Sequence, residues 1–354
     1  MSADIDVLVI GAGHAGLGVA SRLKSRGRSP VIIEADARVG ETWRRRWASL
    51  RLFTPRFVNG LPGVRFPDGD DPFPTKDEVA DYQERYAEWL RVPLRLGTQV
   101  TRLRPEADVF VATLSSTNPD VMPRDAVAHG GETLRARKVV IATGAHHAPR
   151  IPGFAANLDA EVRQLHSREY GRATLPPGPV LVVGGRNSGA EIAVELGRTH
   201  EVTLAIGTQP PLAPARWRSP AWWHIAQLRS WVLRGRLLPR WLPWPIGIPY
   251  NVEVDIARAQ CEGLITLKPR AVDARGDAVR FADGTAEAVS TIVWASGFRN
   301  DDSWIDVPQG DDGIVVGPHH RGPVPGLWTN RASLLASLHW GALDVAADLA
   351  GSGR

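Results

Sequence analysis

Two short runs, Val7-Leu8-Val9-Ile10 and Val180-Leu181-Val182-Val183, are apolar at every position. A strand with one wet face alternates, so an unbroken apolar run of this length predicts a parallel strand buried on both sides. Each run leads straight into glycines, as Gly11-Ala12-Gly13-His14-Ala15-Gly16 and as Gly184-Gly185-Arg186-Asn187-Ser188-Gly189. Helical stretches follow, Leu17 to Arg26 and Ala190 to Arg198, and then second strands, Val31-Ile32-Ile33 and Val202 to Ile206. A strand–glycine turn–helix–strand unit that occurs twice predicts an α/β chain with two Rossmann-like dinucleotide-binding domains.

Between the two units, Thr75-Lys76-Asp77-Glu78 has the spacing of a capping box and predicts a helix reaching Leu90. Short strand-like runs fill Leu94 to Arg137, and Val139-Val140-Ile141-Ala142 reads as another buried strand. Ile151-Pro152-Gly153 begins a linker, and Pro176-Pro177-Gly178-Pro179 marks entry to the second unit. Residues 208–250 are rich in Trp, Arg and Pro and interrupt that unit. A helix near Val252 to Glu262 follows, then short strands up to Thr291-Ile292-Val293-Trp294-Ala295. The helical segment Ala342 to Ala350 is expected to return to the first domain, so the second domain is inserted in the first. On this reading the first domain comprises 1–150 and 292–354, and the second comprises 151–291.

The first glycine turn has its full chemical context. Gly11 makes the tight turn, Gly13 lets a pyrophosphate approach the backbone, and Gly16 packs helix on strand. The helix N-terminus then offers N–H groups to the anion. Glu34 stands 18 positions after Gly16, near the roughly 20 of a ribose-binding acid. His14 is a turn residue rather than a base. In the second turn Arg186 occupies the middle glycine position. Either the dinucleotide sits differently there, or Arg186 turns outward and pairs with a phosphate. No acid ends the following strand, where Ile206-Gly207-Thr208-Gln209 stands. That absence leans toward NADP over NAD, with Arg216 and Arg218 as cations for the 2′-phosphate.

Composition removes several classes. The chain has 354 residues and one cysteine, Cys261, so a disulfide scaffold, a Cys-x-x-Cys redox pair and a cysteine-rich zinc site are excluded. No apolar run reaches the 18 residues or so of a membrane span. The acidic start, Met1 to Asp6, enters a strand at once, and a cytoplasmic protein without a signal peptide is expected. The balance of 42 basic to 38 acidic residues gives +4. That excess fits phosphorylated cofactors as well as nucleic acid or membrane, and no nucleic-acid motif accompanies it.

Further segments carry a family resemblance. Ser49-Leu50-Arg51-Leu52-Phe53-Thr54-Pro55, within Trp43 to Pro55, resembles the Leu-x-Leu-x-Thr-Pro segment of the flavin-containing monooxygenases. Phe73-Pro74-Thr75-Lys76, Ala142-Thr143-Gly144, Ala295-Ser296-Gly297-Phe298 and His166-Ser167-x-x-Tyr170 match further motifs of that family. The chain is similar over nearly its whole length to bacterial members and to the plant enzymes of auxin synthesis. There are departures. Ala160 and Val162 replace the start of the identifying sequence, Glu41 replaces a glycine before Trp43, and Arg186 replaces the middle NADP glycine. Gly326-Leu327-Trp328-Thr329-Asn330 is a shortened final strand and loop.

The resemblance implies FAD in the first domain and NADPH in the second. It further implies monooxygenation of a small organic substrate by O2 through a C4a-(hydro)peroxyflavin, as N- or S-oxygenation or Baeyer-Villiger-type insertion. The cofactor carries that reaction, so no catalytic side chain and no metal are assigned. The cofactor-binding candidates of the first site are Gly11, Gly13, His14, Ala15, Gly16, Glu34, Ala35, Thr42, Trp43, Arg51, Thr54, Val100, Ala142, Thr143 and Gly144. Those of the second are Gly184, Arg186, Asn187, Ser188, Gly189, Ser296 and Gly297. Arg51, Thr54 and Asn59 fit either beside the isoalloxazine ring or as ordinary loop residues. Two other classes stay open: an FAD oxidase or reductase without oxygenation, and a non-catalytic flavin-binding redox sensor.

Rival constellations lack company. The pairs His146-His147 and His319-His320 point neighbouring side chains apart and read as solvated loop histidines. Ser188 is not in a Gly-x-Ser-x-Gly elbow. Within 208–250, six of the 13 tryptophans cluster beside a polar stripe that includes His224 and Gln227. Such an apolar face needs a cover. Packing on the protein itself ranks first, a substrate lid second, and a membrane surface third; self-association is left open.

Overall fold

The computed structural model describes residues 5–117, 132–145, 148–207, 219, 221, 223–224, 256–311, 313–330 and 345–349. Most of the 208–250 segment, with Arg216 and Arg218, lies outside them, as do His146, His147 and Gln209.

The first sheet contains β1 (Ile5–Ile10), β2 (Pro30–Ile33), β3 (Leu94–Arg95), β4 (Thr98–Glu106), β5 (Val109–Ser116), β6 (Thr133–Ile141) and β19 (Leu327–Thr329). Its order is β3-β2-β1-β6-β5-β4, with β19 also on β6. The strands β3, β2, β1, β6 and β19 pair in parallel, whereas β4 and β5 are antiparallel. Helix α1 (His14–Lys24) connects β1 to β2. It starts before the expected Leu17, because Gly13 already has an extended N-cap backbone and Gly16 packs against the turn. Helix α2 (Glu41–Arg44) and helix α3 (Lys76–Leu90) follow. Thr75 and Glu78 form the expected reciprocal capping box of α3.

The second sheet contains β8 (Arg163–His166), β9 (Val180–Val183), β10 (Val202–Ile206), β11 (Thr266–Pro269) and β15 (Thr291–Trp294). All neighbours pair in parallel in the order β11-β10-β9-β15-β8. Helix α4 (Ser167–Tyr170) follows β8, α5 (Asn187–Leu196) links β9 to β10, and α6 (Ile256–Cys261) precedes β11. A three-stranded antiparallel meander, β12 (Ala271–Arg275), β13 (Ala278–Phe281) and β14 (Ala286–Ala288), packs on one face of this sheet. Two small ladders remain: β7 (Ala148–Pro149) with β16 (Phe298–Arg299), and β17 (Gln309–Gly310) with β18 (Gly313–Ile314).

The chain thus leaves the first sheet after β6, builds the whole second sheet, and returns to the first at β19. The boundary expected at 292 is corrected here. Thr291–Trp294 hydrogen-bonds between β9 and β8, so the second unit runs through Trp294. The segment Val345–Leu349 is helical and returns to the first unit, where Arg28 and Lys138 donate to the Leu349 carbonyl. One apolar cluster runs through both units, from Val7 and Val9 through Trp47 and Leu50 to Ile192 and Leu196. Among the described residues no helix is long and apolar enough to cross a membrane.

Candidate dinucleotide sites

The two glycine turns are built to the same plan. Gly11 has φ +107° and Gly184 has φ +124°, a left-handed region that favours glycine. The Gly11 amide donates to the Ile33 carbonyl at 2.8 Å, and the Gly184 amide to the Ala205 carbonyl at 3.0 Å. A Cβ on Gly16 would stand 1.8 Å from the Gly11 carbonyl oxygen, and one on Gly189 would stand 1.7 Å from that of Gly184. The turn and its helix therefore touch backbone to backbone. Ala142 and Ala295 supply the facing wall, because Cβ atoms on Gly11 and Gly184 would strike their carbonyls.

The middle position differs in residue but not in conformation. Gly13 has φ −75° and ψ −174°, and Arg186 has φ −85° and ψ −177°. Neither makes a side-chain cap to its helix. Nothing lies within 4 Å of a Cβ built on Gly13, so the space in front of α1 is open. An open, glycine-lined helix N-terminus fits a pyrophosphate. Arg186 is exposed.

At the end of β2, Glu34 turns back on the loop. Its carboxylate accepts from the Ala12 amide at 2.6 Å and from the Asp36 amide at 3.0 Å. Burial raises its pKa above the usual carboxylate range, against the lowering effect of those amides. Each oxygen keeps a second lone pair for a ribose hydroxyl.

The other first-site candidates are spread more widely. His14 and Ala15 are buried in the first turn of α1, and Ala35 is exposed beside Glu34. Thr143 and Gly144 follow Ala142 at the end of β6, close to Gly11. Thr42 is exposed on α2, and Trp43 packs against the main core. Thr54 and Asn59 are buried and bond each other: the Thr54 hydroxyl donates to the side-chain amide oxygen Oδ1 of Asn59 at 2.7 Å. Arg51 is exposed and held by Asp71 at 3.0 Å and the Phe73 carbonyl at 3.1 Å. The Val100 side chain is buried in a cluster with Ile33 and Leu114, on a strand that kinks after it. In the second site Asn187 and Ser188 open α5, while Ser296 donates to the Arg150 carbonyl beside Gly297.

Contacts between the units were not legible as motifs. The Trp47 indole donates to Glu191 on α5 at 3.0 Å, and the Ser49 amide to Glu195 at 2.7 Å. Tyr170 donates to the other Glu195 oxygen at 2.9 Å; burial and that carboxylate push the phenol above its ordinary range. Glu41, at a family glycine position, binds Arg172 of the second unit at 3.0 Å. From the interrupting segment, Trp223 is buried and His224 stacks on Phe57 at 3.8 Å.

His166 sits on the crossing between the units. Its Nε2 faces the Gly297 carbonyl at 3.0 Å and its Nδ1 accepts from the Arg168 amide at 3.2 Å, which describes a neutral ring. Burial lowers its pKa, and the positive charges of Arg46 and Arg168 act the same way. Burial also holds the Arg46 guanidinium, 5.9 Å from the Phe298 ring, down to about 10. Below the ordinary imidazole value of about 6.5 the unfolded chain takes up a proton that folded His166 resists. Its stabilising contribution is therefore complete above that pH and lost as pH falls through the folded pKa. Urea midpoints measured from pH 7.5 to 5.5 are expected to fall more in the wild type than in His166→Gln. Glu34, with a raised pKa, contributes in the opposite direction and cancels in that difference.

Residues 8–220 match the family model described as pyridine nucleotide-disulphide oxidoreductase. The "uncharacterized oxidoreductase CzcO-like" of Geobacillus kaustophilus is 36% identical over 321 residues, covering 90% of this chain and 87% of that one. The indole-3-pyruvate monooxygenase YUCCA1 of Oryza sativa subsp. japonica is 28% identical, covering 92% and 84% respectively. Among solved structures, a flavin-containing monooxygenase from Stenotrophomonas maltophilia superposes with a TM-score of 0.79 at 24% identity, over 99% of both chains.

Proposed function

This chain belongs to the pyridine nucleotide-disulphide oxidoreductase family, where it stands with the flavin-containing monooxygenases, and from that premise we propose that it uses FAD, NADPH and O2 to monooxygenate a small organic substrate. The observation that carries this reading is the duplicated cradle, with an acid beside the first turn and, among the described residues, none beside the second. FAD belongs to the first unit, where Gly13 would leave room for the pyrophosphate and Glu34 would hold the adenosine ribose. NADPH belongs to the second, on the N-terminus of α5. An intramolecular cysteine-pair relay, the chemistry that the family description suggests, is not open to a chain with the single cysteine Cys261.

The bound flavin would supply hydride acceptance and oxygen activation. The residues of the chain orient it and shape its surroundings. Glu191 and Glu195 tie the 47–49 segment of the first unit to α5, and Tyr170 holds the other Glu195 oxygen. Thr54 and Asn59 spend their polar groups on each other and act as structure, not as acid or base. The substrate is a soft nitrogen or sulfur nucleophile, or a ketone.

Anaerobic titration of the FAD-loaded protein tests the assignment. NADPH is expected to bleach the flavin stoichiometrically, and faster than NADH. No bleaching by either coenzyme would leave a flavin-binding sensor, and equal rates would remove the NADPH preference.

A further inference from the structure

The two units diverge most at the adenosine end. The hydrogen bonds of Gly11 to Ile33 and of Gly184 to Ala205 put Ile206 at the place of Glu34. The next residue, Gly207, has no side chain, and the space above it is taken by Arg270. A Cβ on Gly207 would meet Arg270 Nε at 3.1 Å and its Nη2 at 3.5 Å. The parallel pairing of β10 with β11 causes this, since Ile206 is opposite Pro269 and the next step brings Arg270 beside Gly207.

Arg270 is exposed. No carboxylate pairs with its guanidinium among the described residues, whereas the neighbouring Lys268 is paired with Glu287 at 3.2 Å. At the ribose of the first unit stands an acid, suited to hydroxyls. At the same end of the second stands a planar cation over a glycine, suited to a phosphate monoester. We propose that Arg270, laid over Gly207, reads the 2′-phosphate of the dinucleotide bound by the second unit. The proposal rests on the reading of that unit as a coenzyme site.

The test is calorimetric titration of the FAD-loaded protein with 2′,5′-ADP and with 5′-AMP, which differ by the 2′-phosphate. Wild type is expected to bind 2′,5′-ADP at least tenfold more tightly. Arg270→Ala should lose about ten- to a hundredfold for 2′,5′-ADP and little for 5′-AMP. It should also flatten the salt dependence, and Arg270→Lys should keep part of both as a point charge. Gly207→Asp, which places a carboxylate against Arg270, should narrow the preference in the same way. If Arg270→Ala keeps the wild-type ratio of the two affinities, the proposal is wrong while the coenzyme site stands. If the wild type binds neither nucleotide, the reading of the second unit fails as well.

Discussion

Gly13→Arg is expected to purify folded and colourless. The position has an ordinary extended backbone and nothing within 4 Å of a Cβ, so the chain accepts the side chain without a clash. The space it fills is that of the pyrophosphate. Circular dichroism and the melting curve of the apoprotein should match those of the wild type, while flavin absorbance after gel filtration should be lost. Arg186, exposed at the equivalent position, shows that the backbone accepts an arginine there, and a dinucleotide on the second unit must therefore seat its pyrophosphate differently from one on the first. Gly16→Ala should behave differently. Its Cβ would overlap the Gly11 carbonyl at 1.8 Å, and both partners are backbone in the core. Helix and strand must part, which exceeds the usual overpacking penalty of about 1–3 kcal/mol. That variant should lose fold and flavin together. A yellow Gly13→Arg protein would refute the first site.

Trp47→Ala is expected to destabilise the protein by about 3–5 kcal/mol, the usual range for a large aromatic removed from a core. Trp47 is 3% exposed and packs where the two units share their apolar cluster. Trp47→Phe keeps most of that packing and loses only the bond to Glu191, so it should cost about 1–3 kcal/mol. Urea denaturation gives both values. Equal losses would mean that the hydrogen bond, rather than the burial, holds this junction.

The glycine turns were legible because their cause is local. A left-handed residue at Gly11, a backbone contact at Gly16 and a buried apolar strand before them each leave a mark on residue type. The same holds for Thr75 and Glu78, whose side chains close on their own helix. The boundary at 292 was misplaced for a related reason. Thr291–Trp294 precedes Ala295-Ser296-Gly297 much as β6 precedes Ala142-Thr143-Gly144, and apolar content alone does not say which sheet a strand joins. Arg270 reaches Gly207 through strand pairing across 63 positions, which no local pattern marks, whereas Arg216 and Arg218 are near Ile206 in the chain and lie outside the described residues. The bonds of Trp47 and Ser49 to α5 are likewise tertiary, and nothing in either segment alone announces them.

The most direct test of the monooxygenase assignment is the reaction of the reduced protein with oxygen. Protein reduced anaerobically with one equivalent of NADPH is mixed with aerated buffer in a stopped-flow spectrometer, with hydrogen peroxide assayed at the end. Oxidised flavin is expected to return after a lag, through a spectrally distinct oxygen adduct, and a sulfide, amine or ketone acceptor to shorten the lag and lower the peroxide yield. Immediate return of oxidised flavin, with stoichiometric peroxide whatever acceptor is present, would contradict the monooxygenase assignment.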